Sequence, residues 1–286
     1  MQKYQNKKAA AQLEFLIALI LLLVITFIII YFFDKTAEVA EKANIATTCR
    51  STIELNAIGH ISGMQLYDAV KCPVEYTKID ETDPDKLKKT VADSLASCWY
   101  RMGQGQYEVF PTPVMTKKQY CVICNVLEFN QEQKITGVVS YMNQNHVPVL
   151  YTNGETISYT DYLQNFHSDP SIALLYTQET RDTLDTKDPY ATIFLYGKKG
   201  YINRFWGGVT GAGTGFATGA ILIMSGVGAP AGIFIAGTTV VGTIAGVGLG
   251  SSKTADWESA VGVYPYTTSS LDSLGCEVLP AEQQNT

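Results

Sequence analysis

The feature that most constrains this chain is a long stretch without charge near its C-terminus. No Asp, Glu, Lys or Arg lies between Arg204 and Lys253, and the stretch is apolar and rich in glycine. A Gly-Ala-Pro-Ala-Gly segment at residues 228–232 divides it into halves of about 20 residues, the length of one bilayer span. We therefore predict a transmembrane helical hairpin over residues 205–252.

Small residues recur at every fourth position in both halves of this predicted hairpin. Glycines at that spacing let helix backbones approach closely, which is how helices associate within lipid. We expect such a glycine zipper to join the two halves or neighbouring copies. Two alternatives stay open: insertion into another membrane, as in pore-forming or fusion proteins, and a buried hairpin of a soluble domain. The predicted packing positions are Gly207, Gly211, Gly215, Gly219, Gly242, Gly246 and Gly250.

A second uncharged run, Phe15–Phe33, lies near the N-terminus. Residues 13–33 lack Pro and Gly and would form a helix about 30 Å long, which matches the hydrocarbon core of a bilayer. Lysines precede this run and acidic residues follow it, so the positive-inside rule makes residues 1–12 a cytoplasmic basic segment. We predict a transmembrane helix over residues 13–33 with the rest of the chain outside; a cleaved signal peptide is the alternative.

The residues before this run resemble a known export signal. Lys7-Lys8-Ala9 followed by Ala10-Ala11-Gln12-Leu13-Glu14-Phe15-Leu16 is similar to the class III signal of archaeal type IV pilins and pilin-like proteins. The resemblance covers residues 7–33 and implies cleavage after Ala9, where that family usually has Gly. The mature chain would then begin at Ala10, with Glu14 as its fifth residue. A plain signal anchor remains the alternative.

Helix and strand patterns alternate between the two apolar segments. Residues 34–62 place Ala, Val, Ile and Cys at spacings of three and four, which predicts a membrane-proximal amphipathic helix. Residues 63–204 predict an α+β ectodomain. Its first helix should begin at Asp83-Pro84 and end at Gly103. Further helices are predicted over Gln133–Met142 and Asp161–Phe166, and strands over Gln106–Phe110, Tyr120–Phe129, Ser171–Thr177 and Tyr190–Tyr196.

Six cysteines follow the first apolar run, so the predicted topology places them in an oxidising compartment that favours disulfides. Cys121 and Cys124 form a C-x-x-C pair, but their neighbours have strand composition. Positions three apart on a strand point to opposite faces, so these cysteines should have separate partners, with Cys98 bonded to one of them. A redox dithiol, a zinc site and free thiols are the alternatives. The disulfide candidates are Cys49, Cys72, Cys98, Cys121, Cys124 and Cys276.

Charge and motifs argue against several functions. The net charge is -6, so nucleic acid is not an expected partner. Glycine patterns near residues 211–215 and 248–254 lack the positions that a dinucleotide loop or a phosphate loop requires. An acidic loop at residues 179–188 lacks the ligand spacing of an EF-hand and is interpreted as a solvated hairpin tip. We expect no catalytic residues, no cofactor and no metal.

These observations favour a membrane-anchored surface protein that is not an enzyme. The predicted class is α+β: a long N-terminal transmembrane helix, a disulfide-stapled ectodomain, a glycine-zipper transmembrane hairpin and an extracytoplasmic tail at residues 253–286. We expect a structural or adhesive role in an envelope or pilin-like assembly, with the lipid bilayer, copies of the chain or other surface proteins as partners. The alternatives are a membrane-active protein and a membrane-tethered thiol oxidoreductase.

Overall fold

The computed structural model of this protein describes residues 19–32, 43–55, 57, 72–107, 119–152, 154–163, 183–198, 221–224, 232–239, 257–275 and 277–278. The chain divides into two compact units, Met1–Ile45 and Ala46–Thr286. The second unit, called the domain below, contains a seven-stranded sheet, a two-stranded sheet and several helices. The α+β composition agrees with the sequence prediction.

The prediction of transmembrane helices is wrong. Within the described residues, none of the helices is both long and apolar enough to cross a bilayer. The first helix, α1, is described over residues 19–32. The second helix, α2 (residues 43–55), buries Ala46, Cys49 and Ile53, which confirms part of the predicted amphipathic stripe.

The glycine-rich region also departs from its prediction. Its described parts are strands, β6 (Ile221–Met224) and β7 (Gly232–Thr239), which pair in antiparallel fashion. Glycine has a low helix propensity, whereas the Ile and Phe residues of these segments favour strands, and pairing satisfies the backbone without a helix. A helical glycine zipper is therefore contradicted here. The seven glycines that it was built on lie outside the described residues.

The first helix of the ectodomain forms as the sequence predicts. Helix α3 (Pro84–Arg101) begins after Asp83, whose carboxylate accepts hydrogen bonds from the backbone N–H groups of Asp85 and Lys86. The helix ends before Gly103, which has a φ of 65° that favours glycine. One side of the helix packs on the sheet and is buried at Leu87, Val91, Leu95, Cys98, Trp99 and Met102.

The main sheet has the order β1-β2-β5-β8-β7-β6, and β9 also pairs with β2. Strand β1 (Glu75–Ile79) is parallel to β2 (Gln119–Phe129), and β5 (Tyr190–Lys198) and β8 (Trp257–Pro265) continue the sheet in antiparallel fashion. The predicted strands Tyr120–Phe129 and Tyr190–Tyr196 are thereby confirmed. Strand β9 (Glu277–Val278) is parallel to β2, so residues assigned to a C-terminal tail contribute two strands.

The sheet is covered on both faces of its central strand β5. Phe194 and Tyr196 belong to the larger core with α3, and Phe194 lies 5.9 Å from the Trp99 ring. Ile193 and Leu195 point to the opposite face, where they pack near the final helix α6 (Thr268–Ser273). This alternation is the period-two pattern of a strand that is buried on both sides.

One predicted helix is divided by a glycine. Gln133–Met142 was expected to be helical, but Lys134–Thr136 forms strand β3 and pairs with β4 (Thr183–Asp185). Gly137 has a φ of 75° and starts helix α4 (Val138–Gln144). The predicted helix near residue 161 is α5 (Tyr159–Leu163), and the described part of Gln106–Phe110 is not a strand.

Candidate functional site

Five of the six predicted cysteines lie in the described part of the chain, and all five are disulfide-bonded. Cys49 is joined to Cys72, and Cys98 to Cys124. Cys121 is also bonded, so it and Cys124 have separate partners, as the strand argument predicts. Both are about 1% exposed. This arrangement does not support a C-x-x-C redox centre, whose two thiols must react with one another.

A buried arginine lies where the two described disulfides come together. Arg101 Nη1 donates hydrogen bonds to Glu75 Oε2 at 3.2 Å, to the Cys124 carbonyl at 3.3 Å and to Asn125 Oδ1 at 3.1 Å. Its Nη2 donates to the carbonyl of Pro73. Burial lowers the pKa of Arg101, an effect that the nearby Glu75 carboxylate opposes.

The hydrogen-bond network of Arg101 continues into the main sheet. Asn125 Nδ2 donates to Ser94 Oγ at 2.9 Å, and Ser94 Oγ lies 2.5 Å from Thr192 Oγ1. These contacts connect β2, α3 and β5 through buried groups. A buried charge is tolerated where hydrogen bonds and a counter-ion satisfy it, so we assign this network a structural role.

Aromatic and charged side chains cluster on the outer side of α3. The Arg50 guanidinium lies 4.7 Å from the Tyr100 ring centroid, and that ring lies 5.0 Å from Tyr151. Arg50 also forms an ion pair with Glu54 at 2.8 Å. These contacts hold α2 and α3 together beside the Cys49–Cys72 disulfide, and cation–π pairs of this kind add about 0.5–1 kcal/mol at exposed sites.

A polar cleft of about 520 Å³ lies between the first turns of α3 and helix α4. Lys88 Nζ lies 3.1 Å from Asp85 Oδ1 on one wall. On the other wall Gln144 Nε2 donates to Ser140 Oγ at 3.4 Å. No large aliphatic side chain lines the cleft. The lining residues are Asp85, Lys88, Thr136, Gly137, Ser140, Tyr141, Gln144 and Asn145.

Among the residues that the structure describes, the largest exposed apolar surface belongs to helix α1. Its large apolar side chains are 49–72% exposed, and they occur on every side of the helix because almost every position is apolar. Helices that are apolar all round are normally buried by surrounding molecules. The sequence analysis also singled out this segment, but as part of a predicted transmembrane helix.

The structure brings together few of the residues that the sequence singled out. The predicted processing residues Ala9, Ala10 and Glu14, the packing glycines and Cys276 all lie outside the described residues. Among the residues that the structure describes, no group of His, Cys, Asp and Glu could hold a metal ion. The Arg101 network and the cleft were missed, because their members are far apart in sequence and follow no motif.

Comparison with protein-family models, with curated proteins and with solved structures finds no match for this chain.

Proposed function

We propose that this protein is an extracytoplasmic structural subunit that associates with copies of itself through helix α1. The observation that carries the proposal is the exposure of the large apolar side chains of residues 19–32, at 49–72%. The disulfide-linked domain would form the body of each subunit. The resemblance of residues 7–33 to pilin signals supports the same kind of assembly. The proposal assigns no enzymatic activity to the domain.

The amount of apolar surface on α1 favours association with several neighbours. Complete burial of one Leu, Ile or Phe side chain stabilises a complex by roughly 1.5–3 kcal/mol. The side chains of α1 are already about half buried against their own helix, so each offers roughly half of that. Since they point in all directions, one partner helix covers only some of them, and a bundle of copies covers them all.

The cysteines support the proposed compartment. All five described cysteines are in disulfides. Disulfides persist in oxidising environments and are rare in the cytosol of most organisms. Outside the cytoplasm the domain of a subunit must stay folded in the presence of proteases and at low concentration, and disulfide bonds stabilise it under both conditions.

Sedimentation velocity without detergent tests the proposal on the full chain. Wild-type protein should sediment as an oligomer, and Leu22→Glu, at a 63% exposed position of α1, should shift it towards the monomer. A charge in an apolar interface must be desolvated, which weakens association. Leu55→Glu is the matched control, because Leu55 is 57% exposed at the end of α2 and should leave the oligomer unchanged.

Three results would overturn this proposal. One is a wild-type protein that remains monomeric at all concentrations. A second is a monomer that co-sediments with phosphatidylcholine vesicles and loses that binding in Leu22→Glu, since lipid would then cover α1 in place of other copies. A third is equal oligomers of wild type and Leu22→Glu, because a different surface would then make the contacts.

A further inference from the structure

We propose that the polar cleft between α3 and α4 is a binding site for a neutral sugar, such as a residue of a surface glycan. The inference rests on the cleft alone and does not depend on self-association through α1. The volume of about 520 Å³ lies within the range of roughly 300–1,000 Å³ that is usual for ligand sites. The chemistry of the lining decides the class of ligand.

The charges of the cleft favour a neutral ligand. Asp85 and Lys88 are its only charged residues, and their side chains form an ion pair at 3.1 Å. An anion would compete with Asp85 for the lysine, and a cation would compete with Lys88 for the carboxylate. A single carboxylate also falls short of the several oxygen ligands that Ca²⁺ or Mg²⁺ requires.

The neutral groups of the cleft match hydroxyls. The side-chain amides of Gln144 and Asn145 carry N–H donors and an acceptor oxygen, and the hydroxyls of Thr136 and Ser140 both donate and accept. Gln144 Nε2 uses one donor on Ser140 Oγ at 3.4 Å, a long contact that a ligand hydroxyl can replace. Asn145 Nδ2 donates one hydrogen bond to the Tyr141 carbonyl at 3.0 Å, which orients the side-chain amide. The second N–H group and the oxygen of that amide are left for a ligand. A sugar presents the same mixture of donors and acceptors.

An aromatic ring completes the site. Tyr141 lines the cleft half-buried, and its ring centroid lies 6.4 Å from that of Tyr159. Tyr159 is itself fixed by a 2.5 Å hydrogen bond from its hydroxyl to Asp93. The Tyr141 ring is thereby held before any ligand arrives, and an aromatic face packs well against the C–H face of a sugar ring. Groups held in place in this way lower the entropic cost of binding.

The backbone supports this arrangement. Gly137 has a φ of 75° and turns the chain sharply from β3 into α4, so Thr136 and Ser140 lie on either side of the turn. A Cβ atom at Gly137 would meet nothing within 4 Å, which is consistent with open space beside the turn. The cleft is therefore formed by one tight turn and two helices, and not by a long loop.

Ligand-detected NMR on the full-length protein tests the proposal, with mannose, galactose and N-acetylglucosamine as probes. We expect saturation transfer to at least one sugar. Gln144→Ala, at an exposed position, should weaken that binding about fivefold, the effect of one lost hydrogen bond. Gln131→Ala is the matched control: Gln131 is also an exposed glutamine but does not line the cleft, so the change should leave affinity unchanged.

Tyr141→Ala provides a second readout and should abolish transfer to the sugar ring protons, with circular dichroism used to verify that the variant is folded. Glycans immobilised on an array, compared with the free sugars, distinguish a surface glycan from a soluble ligand. The proposal fails if none of the three sugars shows saturation transfer. It also fails if Gln144→Ala binds as wild type does, or if Gln131→Ala loses as much affinity as Gln144→Ala.

Discussion

The turn that ends α3 offers a sharp test of the packing of the domain. Gly105 has a φ of 65°, and a Cβ atom there would overlap Ser259 Oγ and stand 2.8 Å from Cη2 of Trp99. Both neighbours are buried at 1% exposure or less, so neither can move into solvent. The change Gly105→Ala therefore adds a methyl group where the core has no room.

A comparison with Gly137→Ala separates the two causes of destabilisation, which are backbone strain and overpacking of the core. Gly137 has a nearly equal φ of 75°, but a Cβ atom there would have no neighbour within 4 Å. Both variants bear the left-handed backbone strain of about 1–2 kcal/mol, and both gain a little because Ala restricts the unfolded chain. Only Gly105→Ala also overpacks the core, which typically costs about 1–3 kcal/mol. We expect Gly105→Ala to be less stable than Gly137→Ala by that amount.

Urea denaturation with the disulfides intact measures this difference. Tryptophan fluorescence and far-UV circular dichroism should give coincident transitions, which establishes two-state unfolding. The midpoint of Gly105→Ala should fall well below that of Gly137→Ala at an unchanged slope. Equal midpoints would refute the reasoning, because backbone strain alone would then explain both losses and the contact of Gly105 with Trp99 and Ser259 would not be tight.

Three further predictions concern charge and sulfur. Arg101→Met should lower the free energy of unfolding by about 3–5 kcal/mol in urea titrations, because its buried acceptors lose their donor. Hydrogen bonds from the Lys86 side chain and nearby backbone N–H groups lower the pKa of Glu81 to about 2. Because that pKa lies below the unfolded value, the stabilisation by Glu81 is present above the unfolded pKa and is lost as the pH falls towards 2. NMR titration of Lys86→Ala should show a higher pKa for Glu81. Non-reducing mass spectrometry should find Cys121 linked to Cys276, and a free thiol on Cys121 would contradict this.

The sequence predicts best where local chemistry decides the structure. Asp83 and Pro84 signal the start of α3 through capping and the fixed φ of proline, and the apolar spacing that follows gives the buried face. The strands β2 and β5 follow from runs of β-branched and aromatic residues. The Cys98–Cys124 bond follows from placing one cysteine on that helix and the other on the adjacent strand.

Prediction fails where long-range pairing overrides composition. Ile221–Met224 and Gly232–Thr239 have the hydropathy of a membrane span, but they pair with each other and β7 also pairs with β8. Hydropathy windows do not detect such pairing, because they average the composition of one segment and carry no information on which strand lies beside it. The contact of Arg101 with Glu75 is equally invisible to sequence reasoning, because 26 positions separate the two residues and neither belongs to a motif.

The Cys49–Cys72 disulfide also has a mechanical consequence. If a subunit is held through residues 19–32 and pulled through its domain, tension reaches Cys49 and crosses the disulfide directly to Cys72, three positions before strand β1 begins at Glu75. The segment between the two cysteines, whose sequence separation is 23, carries no load, which removes about 80 Å of extensible chain at 3.3–3.6 Å per residue. Force is thereby delivered to the edge of the sheet, and the linkage stays stiff even if the intervening segment is cut by a protease.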